Sequence, residues 1–105
     1  YVTAYNDCDA KKIAAFYIPS RRKETIQYFE DIYAHRWLKL ENWRIIAMNA
    51  GRETAYHELS FDRITTDRNK TAEDKNYQVH EKDLKRAMNW AKTDGVWLLA
   101  DAVER

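Results

Sequence analysis

The stretch WRIIAMNAGRETAYHELSF, from Trp43 to Phe61, decides the fold because it is typical of a β-hairpin. Its first arm, Trp43–Met48, is rich in apolar and β-branched residues, and Asn49-Ala50-Gly51 supplies a turn whose glycine can adopt positive φ. On the return arm, Thr54–Phe61, alternate residues form one more apolar face and one more polar face. The sequence therefore predicts two antiparallel strands, with Trp43 on one and His57 on the other.

The segments before the hairpin are harder to assign. Residues 12–18, KIAAFYI, predict a short buried strand that ends at Pro19-Ser20. Residues 24–40 have two interpretations. An amphipathic helix is favoured by periodicity, since apolar residues recur at helical spacing at Ile26, Phe29, Tyr33, Trp37 and Leu40. The alternative is two strands, residues 24–29 and 35–40, because these stretches are rich in Thr, Ile and aromatic residues.

After the hairpin, the chain contains a polar run and then a second periodic segment. The alternation changes phase near residues 62–64, which predicts a bulge or the end of the strand. The run Thr65–Asn76, TTDRNKTAEDKN, predicts a loop that separates a body of residues 1–64 from a tail of residues 77–105. In the tail, a helix over residues 81–92 is predicted from one apolar face, formed by Leu84, Ala87, Met88 and Ala91.

Composition limits the class of protein. A chain of 105 residues with 45% hydrophobic and 33% charged residues is typical of one folded domain. Its formal net charge of +1 indicates no global attraction to nucleic acid or to an anionic membrane. No apolar run approaches the ~20 residues that span a bilayer, so we expect no membrane partner. The single cysteine, Cys8, excludes an internal disulfide, and no secretory signal is visible, which favours the cytoplasm.

Motifs for catalysis, metals and cofactors are not visible in the sequence. The three histidines and Cys8 do not form a zinc-binding pattern, and neither His57-Glu58 nor His80-Glu81 is followed by a second histidine at zinc-protease spacing. With only Gly51 and Gly95, a glycine-rich phosphate loop is excluded. We therefore predict that the protein is not an enzyme and carries neither a metal nor a cofactor.

Several landmarks resemble the WYL domain of bacterial transcription regulators. The signature strand of that family corresponds to Trp43-Arg44-Ile45. The other landmarks occur along the chain in the same order as in the family, and they are Ala14-Ala15-Phe16-Tyr17, Ala34-His35-Arg36-Trp37-Leu38, Glu41-Asn42-Trp43 and Phe61-Asp62-Arg63-Ile64. The chain departs from the family at Arg44 and Ile45, where tyrosine and leucine are usual, at Ala34, where proline is usual, and at His57, where an arginine is usual nearby. The resemblance implies an α+β fold with a mainly β core, namely a small SH3-like or Sm-like barrel with a C-terminal helix, and so favours strands over residues 24–40.

The resemblance also implies a function. WYL domains are thought to sense ligands, including nucleic acid or nucleotides, through a basic and aromatic surface. A guanidinium suits phosphate or carboxylate, and an aromatic ring can stack on a base. The predicted ligand-binding residues are Tyr17, His35, Arg36, Trp43, Arg44, His57 and Arg63. The DNA-binding helix-turn-helix would lie upstream of this sequence, and a homodimer is left open.

Two alternatives to this function stay open. The arginines of the predicted site are equally suited to surface ion pairs with Glu41, Glu58 and Asp62, each worth about 0–1 kcal/mol. The other alternative is a small phage- or defence-related α+β module that binds a protein partner through exposed aromatic residues.

Overall fold

The computed structural model describes residues 1–104, in which three helices precede four strands. The helices are α1 (Val2–Asn6), α2 (Ala10–Ala14) and α3 (Pro19–Tyr33), and the strands are β1 (Arg36–Ala50), β2 (Thr54–Asp67), β3 (Gln78–Thr93) and β4 (Val96–Glu104). The strands form one antiparallel sheet in the order β1-β2-β3-β4. The α+β class with a mainly β core is confirmed. The SH3-like or Sm-like barrel is wrong, because β1 and β4 are the two edges of an open sheet.

The central hairpin is confirmed and is longer than predicted. Strands β1 and β2 pair from Arg36, opposite Asp67, to Ala50, opposite Ala55, and His57 lies opposite Met48. Trp43 and His57 therefore lie on neighbouring strands. The Gly51 N–H donates to the Thr54 carbonyl at 2.8 Å and closes the turn.

A line of irregular residues crosses the sheet and bends it. Asn42 in β1 and Asp83 in β3 both have positive φ, 50° and 54°, and each lies at a shift in strand register. Between them on β2, the Asp62 carboxylate accepts a hydrogen bond from Asn42 Nδ2 at 2.9 Å and from the Asp83 N–H at 3.1 Å. Such bulges bend strands and increase their twist. The predicted phase change at residues 62–64 is confirmed as the register shift between Phe61 and Arg63 against β3. We call this line the sheet bend.

The helices pack on one face of the sheet and build the core with it. The Asp9 carboxylate caps α2 by accepting from the Lys12 N–H at 3.1 Å, and Pro19 occupies the first turn of α3, where its missing N–H costs nothing. The buried core lies between the helices and the sheet, and its members include Tyr5, Ile13, Phe29, Tyr33, Leu38, Leu40, Leu59, Phe61, Met88 and Leu99. No helix within residues 1–104 is long and apolar enough to cross a membrane.

The end of α1 and the segment that follows it cover part of the outer edge of β1. The Asn6 side chain donates to the Leu40 carbonyl at 3.1 Å and accepts from the Leu40 N–H at 2.7 Å. The Cys8 sulfur lies 3.5 Å from both the N and the O of Leu38. These side chains take the place of a neighbouring strand along this part of the edge, which otherwise presents unpaired backbone groups.

Four local predictions need correction. Residues 12–18 are not a strand; α2 covers their first part, and Tyr17 makes one parallel bridge to Leu99. Residues 24–40 begin in α3 and end in β1, so the helix predicted from periodicity is right up to Tyr33 and wrong from Arg36 onward. Of the two alternative strands, the one at 24–29 is wrong, and the one at 35–40 is confirmed by β1. The helix over residues 81–92 is wrong, because these residues belong to β3. The polar loop is shorter than predicted, since residues 65–67 extend β2.

Candidate ligand-binding cavity

A cavity of about 700 Å³ opens between α3 and the concave face of the sheet. This volume lies in the range of small-molecule sites, which is roughly 300–1,000 Å³. Its walls contain five aromatic side chains, from Tyr1, Tyr5, Tyr17, Tyr28 and Phe29. They also contain four arginines and four carboxylates, namely Arg21, Arg36, Arg63, Arg86, Glu24, Glu81, Asp101 and Glu104. Aromatic side chains provide large apolar contact surfaces, and tyrosine adds a hydroxyl group at the end. The cavity is therefore suited to a small organic molecule.

An ion network lines one side of the cavity. Arg63 donates from Nε and Nη2 to Glu81 Oε1, at 3.2 and 3.1 Å, and from Nη1 to Glu104 Oε1. Arg86 Nη2 donates to the same Glu104 oxygen at 2.5 Å, and Arg86 Nη1 donates to the Tyr1 hydroxyl at 3.0 Å. One carboxylate oxygen thus bridges two guanidinium groups.

The two arginines are much less exposed than their carboxylate partners. The side chains of Arg63 and Arg86 are 16% and 8% exposed, whereas those of Glu81 and Glu104 are 38% and 36% exposed. The Arg86 guanidinium also lies over the Tyr5 ring, 5.1 Å from its centroid. The buried charge of the cavity is therefore positive, and the carboxylates that neutralise it face solvent.

Burial and hydrogen bonding set the charge states of this network. Burial disfavours the charge on Arg86, but the Tyr1 and Tyr5 hydroxyl groups and the Glu104 carboxylate outweigh it and raise the pKa of the guanidinium. Burial likewise opposes ionisation of Glu104, yet hydrogen bonds and charge from Arg86 and Arg63 hold the pKa of this carboxyl below its ordinary value. Both arginines and Glu104 are therefore ionised at neutral pH.

The tyrosines beside this network are neutral hydrogen-bonding groups. Burial raises the pKa of Tyr17, and burial also raises the pKa of Tyr5 even though Arg86 and Arg63 oppose the increase. A neutral phenol both donates and accepts hydrogen bonds. The cavity therefore combines apolar walls, neutral hydroxyl groups and fixed guanidinium groups.

The structure brings three of the residues predicted from the sequence into this cavity. Tyr17, Arg36 and Arg63 line it. The expected partners of Arg63 were Glu41, Glu58 and Asp62; its observed partners are Glu81 and Glu104 instead.

The other predicted site residues lie elsewhere. Arg44 pairs with Ser60, and strand alternation places it on the face opposite Arg63, so the three predicted arginines do not converge. Trp43 is 51% exposed next to the sheet bend. The His57 ring packs edge-on against the Trp90 ring, with 5.9 Å between the ring centroids. His35 is exposed just before β1. Whether any of these side chains binds a ligand stays a prediction.

Three important residues of the cavity were missed by sequence reasoning. Arg86 was placed on a predicted helix, whereas the structure places it on β3. Glu104 lies in a segment to which no motif drew attention. Tyr5 lies in α1, and no pattern in the sequence singled it out.

Within residues 1–104, no three metal-ligating side chains form a cluster. No protein-family model and no curated protein matches the sequence.

The fold is shared with several solved structures of low sequence identity. A conserved protein from Planctomyces limnophilus has a TM-score of 0.72 at 14% identity, over 99% of this chain and 88% of its own. A SEC-C motif protein from Rhodopseudomonas palustris has a TM-score of 0.62 at 13% identity, over 96% and 70%. An NTF2-like family protein from Streptomyces avermitilis, proposed to be a dehydratase, has a TM-score of 0.69 at 11% identity, over 98% and 86%. These likenesses establish the architecture alone.

Proposed function

We propose that this chain is a ligand-binding domain that holds a small aromatic molecule in the cavity between α3 and the sheet. One observation carries the proposal: the cavity of about 700 Å³ combines five aromatic side chains with the buried guanidinium groups of Arg63 and Arg86. Aromatic side chains next to fixed polar groups are a common feature of small-molecule sites, and the many charged residues of this cavity favour a charged ligand. The proposal keeps the ligand-sensing role expected from the sequence and moves the ligand from a barrel surface to this cavity.

The proposal assigns no reaction to the site. The regulatory role that the WYL resemblance implies fits a domain that reports on a bound ligand, and a nucleotide-like anion is one ligand class for it. The cavity supports this class because Arg36 and Arg63 both line it, together with Tyr17. Dehydratase activity is proposed for one structural neighbour, and we do not extend it to this chain because the two chains are only 11% identical.

Two threonine variants test the cavity. Thr65 lines it, whereas Thr66, the next residue of β2, lines a different and smaller cavity near Cys8. We expect Thr65→Phe to fill the ligand site and Thr66→Phe to leave it open. The probes are phenol, indole and adenosine monophosphate, titrated into ¹⁵N-labelled protein while backbone amide shifts are followed by NMR.

Shifts clustered around Tyr17, Arg63 and Thr65 in the wild type, lost in Thr65→Phe and kept in Thr66→Phe, are the expected result. Thermal melts of both variants establish that each is folded. The proposal is wrong if none of the three probes shifts these amides, or if both variants bind as the wild type does.

A second candidate function is the protein-interaction module expected from the sequence. It is favoured by exposed apolar side chains on the two edge strands of the sheet. Ile45 and Met48 on β1 are 45% and 62% exposed, and Trp97 on β4 is 38% exposed. Exposed apolar side chains of this size are enriched where proteins contact a partner. Light scattering during gel filtration tests it: a mass above that of one chain, reduced to one chain by Met48→Glu, would support this function over the first.

A further inference from the structure

We propose that Glu104 occupies the place of a ligand carboxylate, and that an aromatic carboxylate entering the cavity displaces the Glu104 side chain from Arg63 and Arg86. This inference rests on the proposed function and specifies its ligand class. It also makes the end of β4 the part of the fold that responds to binding.

The fixed part of the network is its pair of cations. The Arg86 guanidinium lies between two aromatic rings, 5.1 Å from the Tyr5 centroid and 5.6 Å from that of Phe61, and it bonds to the Tyr1 hydroxyl. These contacts do not depend on Glu104. A ligand carboxylate therefore meets guanidinium groups that are already oriented, which lowers the entropic cost of binding.

The replaceable part is Glu104. Its side chain is 36% exposed, and it belongs to the outermost register pair between β3 and β4, in which it lies opposite Arg86. Strand β4 is an edge strand, so this residue has a neighbouring strand on one side only. Its side chain is free to rotate into solvent without opening the core, because Glu104 belongs neither to the buried core nor to the residues packed against it.

Charge balance favours exchange with a carboxylate. Removing Glu104 without a substitute would leave Arg86 buried with its charge unneutralised, which is strongly unfavourable. A ligand carboxylate restores the same charge and accepts the same hydrogen bonds, while its aromatic part contacts the tyrosines of the cavity. A neutral aromatic molecule cannot perform this exchange and leaves Glu104 in place.

The test compares Glu104→Gln with the wild type. Glutamine keeps the size and the acceptor oxygen but removes the negative charge, so it competes less with an incoming anion. The probes are benzoate, phenyl phosphate and uncharged benzamide, measured by calorimetry at neutral pH. The matched control is Glu73→Gln, because Glu73 is exposed in the loop between β2 and β3.

We expect Glu104→Gln to bind benzoate about tenfold more tightly than the wild type, a difference of about 1.4 kcal/mol. Benzamide affinity should not change, and Glu73→Gln should match the wild type with every probe. In the wild type, benzoate and not benzamide should shift the backbone amide of Glu104 in NMR spectra.

Other outcomes distinguish failure of this inference from failure of the proposed ligand-binding function. Equal binding of benzoate and benzamide, unchanged in Glu104→Gln, overturns the exchange and leaves the cavity as a ligand site. If Glu104→Gln binds phenyl phosphate more tightly than the wild type but binds benzoate no more tightly, the choice of a carboxylate as the ligand group is overturned. Absence of binding by all three probes to both proteins overturns the inference and counts against the proposed function as well.

Discussion

Replacing Asn6 with alanine should destabilise the fold although Asn6 lies outside the core. In the native protein its amide bonds to both backbone groups of Leu40, at 3.1 and 2.7 Å, and Leu40 is 2% exposed. Each bond contributes about 0.5–1.5 kcal/mol net, so we expect Asn6→Ala to lower the free energy of unfolding by about 1–3 kcal/mol. For a domain of this size each kcal/mol corresponds to a fall in Tm of about 4–8 °C.

Urea denaturation followed by tryptophan fluorescence measures this loss, and the transition slope should not change because the same surface is exposed on unfolding. Asn6→Asp keeps the acceptor for the Leu40 N–H and removes the donor to its carbonyl. Its free energy of unfolding should therefore lie between those of the wild type and Asn6→Ala. Asn69→Ala, in the exposed loop after β2, is the control. A loss below about 0.5 kcal/mol for Asn6→Ala, the range of ordinary surface substitutions, would refute the argument that side chains stabilise this edge.

Two further predictions concern the core and the ion network. Leu99→Ala should cost about 3 kcal/mol in urea denaturation, because Leu99 is completely buried and its removal leaves a cavity beside Tyr17; a cost near zero would show that this part of β4 does not pack as described. The lowered pKa of Glu104 contributes stability that is present above the ordinary glutamate value of about 4.3 and is lost as pH falls through the folded-state value. Glu104→Gln should therefore be less stable than the wild type at pH 7, and this difference should shrink as pH falls below about 4.3. A stability difference independent of pH would contradict this.

The hairpin and α3 were predictable because their signals are local. The turn predicted at Asn49-Ala50-Gly51 lies between two apolar arms, but the structure shifts it to residues 51–53, since Asn49 and Ala50 still pair with β2. Gly51 does not adopt the positive φ that was expected of it. Phe29 and Tyr33 recur at helical spacing on the buried side of one helix. The alternative strands at residues 24–29 and 35–40 came from β-forming composition, and the family resemblance favoured them over the periodicity. Periodicity was the better guide up to Tyr33, and composition was the better guide from Arg36, where β1 begins.

Strand β3 was not predictable by the same means. Arg86, Ala87 and Met88 are all buried, so the centre of the strand lacks the alternation of a sheet with one exposed face. The bulge at Asp83 shifts the phase further, and the remaining apolar positions coincide with helical spacing. Only the pairing of β3 with strands on both sides resolves the ambiguity, and that pairing is a property of the whole fold.

The cavity was predictable only in part for a related reason. Arg63 and Tyr17 attracted attention as chemically suitable residues, and both line it. Glu104 and Arg86 became neighbours through the register of β3 against β4. A side chain whose role depends on a partner far along the chain gives no local sign of that role.

The sheet bend lies on a different face of the sheet from the cavity. Asp62 joins Asn42 to Asp83, and strand alternation places Asp62 on the face opposite Arg63, which lines the cavity. Because bulges bend strands and increase their twist, we expect substitutions along the sheet bend to change the distance between the sheet and α3 while every group that lines the cavity is retained. The size and the chemistry of the cavity would then depend on separate residues, which gives both evolution and protein engineering a way to change one property without the other.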